Sequence, residues 1–351
     1  MTAKRTPKSD RTDAPQRGFD TEMAELESLT KSLRAGHPID EDATKYIRKL
    51  LTQRNNFLVA KAAKLASDHS LTDLIPDLLA AYDRFFLDPV KTDPKCWAKE
   101  AVARALVKLE HRSKQTYLRG LRHHQMEPSF GPPVDSAAAL RGTCAHALVD
   151  CPGISDAELL MILLEPLTDA DKTVRMDAAR AIANVGGISA ALLLRYRAML
   201  TPIFRGQEEP EVLGAVYSAL LSLEGSAAIP LVAHILEESD DLAAEAAFAL
   251  ADLRSPEALA ALIARHRAGI SDPWFTGVLL SAIALTRLGQ AMDFLVALIE
   301  RDAREAPQAI EAIGRTAPSP ELHLRLEQAV DRADNARLRK ALHEHLPAIP
   351  E

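Results

Sequence analysis

One phrase recurs along this chain, and that recurrence constrains the fold more than any other property. The stretch VRMDAARAIANVGG at 174–187 is echoed by LAAEAAFALADLRS at 242–255 and AKEAVARALVKLEH at 98–111. Looser copies are LRGTCAHALVDC at 140–151, VLGAVYSALLSLEG at 212–225 and LLSAIALTRLG at 279–289, with weaker ones at 308–317 and 338–346. Aligned on a small residue followed by an apolar one, the anchors are Ala105, Ala147, Ala181, Ala219, Ala249, Ala284, Ala309 and Ala341. They lie 42, 34, 38, 30, 35, 25 and 32 residues apart, and an earlier copy at 57–67 puts Leu65 at the anchor. About 30–40 residues accommodate two helices of three to four turns with two short connections. One such pair cannot bury its own apolar faces, so neighbouring pairs must stack.

Between successive phrases the spacing predicts a second amphipathic helix, at Leu71–Leu87, Lys114–His124, Asp156–Pro166, Ala190–Phe204, Ala227–Leu236, Pro256–His266, Met292–Arg301 and Pro320–Val330. Gly186, Gly187, Gly225 and Gly289 follow the phrase, where a left-handed helix terminus is wanted. Hydrophobic residues make up 47% of the chain, enough for a real core, but only 5% are aromatic. Most of the apolar weight is Ala and Leu, which favours close-packed helices over a β-sandwich. The fold class is therefore all-α. Met1–Asp20 is polar and reads as a disordered tail, and helical periodicity begins near Thr21 with Met23, Leu26, Leu29 and Leu33. No apolar run of membrane-spanning length and no secretory leader are evident, and three cysteines fit a reducing compartment. The expectation is a cytoplasmic protein with no membrane partner.

The V-R-x-x-A-A-x-A-L-x-x-L-G phrase resembles the second helix of HEAT-like repeats, as in bacterial HEAT and phycobilisome-lyase-type repeat proteins. The resemblance covers roughly 55–346 and is strongest at 172–255. It implies a right-handed α-solenoid of about eight or nine hairpins, occupying 21–351 as a single domain with an inserted loop at 125–135. The second helices of such a solenoid line its concave surface. Tetratricopeptide repeats are disfavoured, because their Trp and Tyr positions and regular period are missing.

Charge is unevenly spread. Residues 1–125 carry a balance of +6 and residues 126–351 a balance of −13, giving −7 overall. An anionic partner is thus admitted only on the N-terminal half. Just before the anchor stand Lys64, Arg104, His146 and Arg180, and six before it stand Lys99, Arg141 and Arg175. Stacking would set these in ladders along the concave face, as a site for an anionic ligand, an acidic helix or a nucleic-acid backbone. Against that, an Arg after the Val belongs to the HEAT-like pattern and pairs with a carboxylate of the adjacent repeat.

The segment 113–142 departs most from the repeat. Its loop, Gln125–Asp135, carries Pro128, Gly131, Pro132 and Pro133, and it follows a predicted helix with Arg119, Arg122, His123 and His124. Arg119 and Arg122 are three apart and share a helix face, suited to a phosphate or carboxylate. Trp97 offers a stacking face nearby. A Pro-rich loop can equally brace two repeats. Acidic residues at 169–171, 208–211 and 237–241 fall between helices of three successive repeats, and helix capping accounts for them before any basic partner does.

Chemistry finds little footing. Cys144 and His146 are about 200° apart on a helix, Cys144 sits at a core position, and His343-Glu344 is a lone His-Glu pair where HEAT-type di-iron hydroxylases use several. No CxxC, HExxH, glycine-rich phosphate loop or GxSxG occurs. The reading is a non-catalytic scaffold with no cofactor or metal, binding a protein through the concave helices and the 113–142 insertion. Nucleic-acid or polyanion binding by the N-terminal half is the alternative, and a lyase or DNA glycosylase-like enzyme on the same scaffold is the further one. The sequence fixes no oligomeric state.

Overall fold

The computed structural model describes residues 14–204 and 206–346. They are helical almost throughout, and their only strands are two residues long. The chain divides into two units at Gly153, where the sequence reading takes 21–351 as one domain.

The first unit holds α1 (Ala14–Arg34), α2 (Glu41–Leu51), α3 (Asn56–Asp68), α4 (Ile75–Phe85), the short α5 (Pro89–Thr92), α6 (Trp97–Lys108), α7 (Lys114–Leu121) and α8 (Ala138–Val149). Helix α1 begins at Ala14, inside the segment read as a tail, while residues 1–13 of that segment lie outside the described residues. Helices α3, α6 and α8 carry the repeated phrase and pack one on the next. Their apolar rows are buried, among them Val59, Ala62, Val102, Leu106, Cys144 and Leu148. Side-chain caps start several helices as the sequence physics demands: Asp40 accepts from the Ala43 N–H, Asn55 from Phe57 and Leu58, and Ser113 from Thr116. Gly120 lets α7 meet α8, because a methyl group there would overlap both the Tyr82 hydroxyl and the Cys144 sulfur.

The second unit holds α9 (Asp156–Leu167), α10 (Lys172–Val185), α11 (Gly187–Met199), α12 (Thr201–Phe204), α13 (Pro210–Glu224), α14 (Ile229–His234), α15 (Asp241–Asp252), α16 (Pro256–Arg267), α17 (Pro273–Leu285), α18 (Gly289–Glu300), α19 (Ala306–Gly314), α20 (Pro320–Ala333) and α21 (Ala336–His345). The phrase-bearing helices α10, α13, α15, α17, α19 and α21 pack each on the next. The intervening helices lie against them, and α14 meets α16 as α18 meets α20. All eight alanine anchors are buried, each in a phrase-bearing helix. Alanine admits this close approach, and the neighbouring Leu, Ile and Val supply the buried area.

Two punctuation signals resolve differently. Gly186 and Gly225 take positive φ where α10 and α13 end, +77° and +56°. Gly289 instead opens α18, and the left-handed residue there is Arg287, with φ of +56°. The stretch 210–238 is long and apolar enough, by length and composition, to cross a membrane. It is broken after α13 at Gly225, and Val212, Val216, Tyr217 and Leu220 are buried where α13 packs between α10 and α15.

Candidate functional site

Three of the basic residues singled out by the repeat are interior groups. Lys99 is fully buried on α6, with its ammonium 2.9 Å from an Asp93 carboxylate oxygen and 3.2 Å from the Phe85 carbonyl. Arg141 is buried on α8 and donates to the Asp135 carboxylate at 2.7 Å and the His123 carbonyl at 3.0 Å. Arg175, on α10 in the second unit, donates to the Asp169 and Ala170 carbonyls and pairs with Glu208 and Glu209. In each case the partner segment begins six residues upstream, at Asp93, Asp135 or Asp169. The basic side chain latches the turn that leads into its own helix. This row is structural.

The second row is exposed. Lys64 pairs with Asp68, Arg104 with Glu100 and Arg180 with Asp177. His146 is half-buried on α8 and has a partner of its own. Exposed ion pairs of this kind contribute little to stability, roughly 0–1 kcal/mol each. The acidic residues between repeats behave as caps and counter-ions. Asp171 accepts from the Thr173 N–H, Asp240 from Ala243, and Glu211 pairs with Lys172.

The insertion is more ordered than a Pro-rich loop suggests. It forms a hairpin of β1 (Met126–Glu127) and β2 (Val134–Asp135), with Met126 opposite Asp135 and Glu127 opposite Val134. Two-residue strands leave no alternation to read, which is why the sequence shows no strand. The base of the hairpin is bolted to the first unit by a chain of polar contacts. The buried Gln125 amide donates to the Asp93 carbonyl (2.8 Å) and to Glu127 (2.6 Å), and its backbone N–H donates to Asp135 (2.9 Å). Glu127 also accepts from the Lys95 N–H (2.6 Å) and the Ser136 hydroxyl (2.7 Å). Asp93 accepts from Asn56, Ala98 N–H and Lys99 N–H, so it caps α6 while neutralising Lys99. The buried pair Lys99–Asp93 and the partly buried pair Arg141–Asp135 are thereby joined through Gln125.

The turn facing this hairpin is backbone-strained. Lys95 and Cys96 are consecutive non-glycine residues at positive φ, +62° and +56°, and Asp88 is at +49°. Such conformations cost about 1–3 kcal/mol each and persist only where surroundings over-determine them. Here Asp93 and Glu127 do so. The strain sets Trp97 at the first turn of α6, 45% exposed, with its ring 5.7 Å from Phe57 and the Lys95 ammonium 5.1 Å above it. Beyond the anchored base, Met126, Phe130 and Val134 are exposed, Phe130 completely.

The helix before the hairpin departs from expectation. Helix α7 ends at Leu121 with Arg122 as its capping residue, three residues short of the expected end at His124. Arg119 pairs with Asp83 and lies 4.1 Å from the Phe86 ring centroid, and Arg122 also has a partner. His123 turns inward, its ring edge-on to Phe86 at 4.8 Å and 3.2 Å from the Gln125 side chain. Burial lowers its pKa below the usual histidine value, so it is neutral at physiological pH.

Asp135 is the titratable hinge of the site. Burial works to raise its pKa, but the Gln125 and Ala137 N–H groups, His124 and the Arg141 charge outweigh it and hold the carboxyl at about 2. A carboxyl more acidic folded than unfolded contributes its stability in full above the ordinary value near 3.8 and loses it as the pH falls toward 2. The expected loss over that window is about 2 kcal/mol. Hydrogen-exchange protection at Gln125 and Ala137, taken relative to the intrinsic rate at each pH, should fall across it and stay constant between pH 5 and 7. Protection factors unchanged down to pH 2 would contradict this assignment.

Burial pushes the Cys96 thiol up to about 12 and also raises Cys144 and Cys151, so the three cysteines are protonated and shielded. Among the described residues no group of three or more His, Cys, Asp or Glu is placed to hold a metal. The residues that sequence reasoning missed are Asp93, Gln125, Glu127 and Asp135, together with the apolar tip. The six-residue spacing from acid to base was the signal that could have found two of them.

The described residues thus define an all-α protein with one anchored hairpin on its first unit. No family model matches the chain, and no curated protein does. Among solved structures it is similar to an engineered protein from the Northeast Structural Genomics Consortium, at 16% identity over 95% of this chain and 96% of that one, with a TM-score of 0.34. A second engineered protein from the same consortium is similar at 19% identity over 84% of this chain and 96% of that one, with a TM-score of 0.20.

Proposed function

We propose that the chain is a HEAT-like repeat protein, a right-handed α-solenoid of about eight or nine hairpins, that serves as a non-catalytic scaffold for a protein partner. The partner engages the first unit at Trp97 and the hairpin tip. One observation carries this reading: a strained, polar-bolted base presents Met126, Phe130 and Val134 to solvent, and the turn that it holds leaves Trp97 half exposed at the start of α6. Exposed apolar side chains on a rigid mount mark contact surfaces, whereas a loop that only braces two repeats would turn them inward. Aromatic anchors dominate such interfaces, with truncation costing about 2 kcal/mol or more, roughly thirtyfold in affinity.

The test compares proteins captured from native lysate by the wild type and by a Trp97→Ala/Phe130→Ala variant. Both residues are exposed, so the variant retains the fold. A protein lost selectively from the variant is then titrated against the chain carrying Trp274→Phe, in which Trp97 is the remaining tryptophan. Binding should perturb Trp97 fluorescence in that chain, and calorimetric titration should show affinity at least thirtyfold weaker in the double variant. Identical captured sets would remove the hairpin from the site.

The polyanion reading has one observation of its own. A groove of about 640 Å³ in the first unit is lined by Phe57 with Lys31, Arg34, Lys61 and Lys64, and also by Glu27 and by Asp68, which pairs with Lys64. Salt separates the two readings. A loss of about a thousandfold in affinity between roughly 50 and 200 mM salt favours phosphate contacts, and near-constant affinity favours the aromatic hairpin.

A further inference from the structure

Helix α1 packs only loosely on the rest of the first unit and is tied to α2 by the Tyr46 hydroxyl, which donates to the Glu22 carbonyl at 2.8 Å. A groove of about 640 Å³ is left between α1 and α3. Its apolar lining comes from Met23, Leu26 and Leu33 on α1 and from Phe57 and Leu65 on α3. Leu26, Leu33 and Leu65 are buried, while Met23 and Phe57 are half-buried. On α1, Met23, Leu26, Thr30 and Leu33 fall within about 80° of one another and span roughly 15 Å, so they make one continuous floor on that side.

The same groove is cationic. Lys31, Arg34, Lys61 and Lys64 line it against two carboxylates, Glu27 and Asp68. Asp68 lies 2.7 Å from Lys64 and 2.7 Å from Lys108, so within the groove Lys31, Arg34 and Lys61 face Glu27 alone. The Lys61 ammonium stands 5.2 Å from the centroid of the Phe57 ring, which puts a positive charge at the edge of the apolar floor. Each simple occupant would satisfy half of this lining. Inorganic phosphate or a nucleic-acid backbone would take the cations and leave the floor wet. A neutral hydrocarbon would cover the floor and strip water from the cations with no counter-charge in return. A molecule with an apolar body and an anionic head does both, and the volume is that of a small-molecule site, roughly 300–1,000 Å³.

We infer that this groove binds a small amphiphilic anion, an alkyl or acyl chain ending in a phosphate or carboxylate. The chain lies on Leu26, Leu33, Phe57 and Leu65, and the head meets Lys31, Arg34 and Lys61. The site shares its cations with the polyanion reading and differs from it in needing the floor. It does not rest on the hairpin, since neither Trp97 nor Phe130 lines the groove.

Calorimetric titration of the full chain with monomeric dodecyl phosphate should show one site with a Kd on the order of 10 µM. Octyl phosphate should bind at least about tenfold more weakly, because its shorter chain covers less of the floor. Inorganic phosphate and dodecyltrimethylammonium should not bind. Lys31→Glu/Lys61→Glu, both at exposed positions, should weaken dodecyl phosphate at least about tenfold with an unchanged far-ultraviolet spectrum. Trp97→Ala/Phe130→Ala should bind it like wild type, so failure here and failure of the hairpin site are read separately. With methyl-labelled methionine, the Met23 resonance should shift on binding, and those of the exposed Met161 and Met199 should not. Tight binding of dodecyltrimethylammonium, equal affinity for octyl and dodecyl phosphate, or a shift at Met161 or Met199 in place of Met23 overturns the proposal. A Met23 shift with oligothymidylate or with anionic phospholipid vesicles, and none with dodecyl phosphate, overturns it in favour of a polyanion or a membrane surface.

Discussion

Asp93→Ala is expected to destabilise the first unit by about 3–5 kcal/mol, the cost of leaving a buried charge without its partner. Lys99 would keep only the Phe85 carbonyl and the face of Phe86, 5.6 Å away, neither of which carries a counter-charge. The same substitution frees the Ala98 and Lys99 N–H groups at the start of α6 and the Asn56 amide. Lys99→Met is expected to cost less, about 2 kcal/mol, because Asp93 retains those three donors at a helix N-terminus that favours an anion. The measurement is denaturant unfolding followed by Trp97 fluorescence in the Trp274→Phe background, which reports on the first unit. If Lys99→Met proved as damaging as Asp93→Ala, the cap would not be what holds the carboxylate. The latching role of the buried row would then fail.

How far this was legible in the sequence depends on what each feature leaves in the residue order. The phrase around Ala105, Ala181 and Ala249 predicts helices, and those residues are buried in helices, because Ala and Leu at 3.6-residue spacing have few other ways to be satisfied. The basic positions Lys99, Arg141 and Arg175 were equally visible, yet their direction was not. Periodicity gives the side of a helix on which a residue stands, not whether the preceding turn returns a carboxylate to it. The acid six residues upstream answers that once the turn is known. Gln125 left no trace, since one amide bridging two ion pairs looks like any loop glutamine.

Arg141 couples the hairpin to the unit, and Arg141→Met should show it. The methionine fills much of the volume but leaves the half-buried Asp135 without the guanidinium and the His123 carbonyl without a donor, at an expected cost of about 2 kcal/mol. Two consequences separate this from simple loss of packing. The Asp135 carboxyl should titrate closer to its ordinary value, so the variant should lose less stability than wild type between about pH 4 and pH 2. Exchange protection at Gln125 and Ser136, whose N–H groups bond to Asp135 and to the Gln125 carbonyl, should fall at neutral pH while protection in α10, α13 and α15 stays unchanged. Arg141→Lys should fall between, since one ammonium reaches Asp135 without the reach of the guanidinium to His123. Because the hairpin tip depends on that base, Arg141→Met should also weaken the partner at Phe130 without altering any contacting side chain. Full affinity in a variant whose hairpin amides exchange freely would mean that the rigid mount is irrelevant to binding.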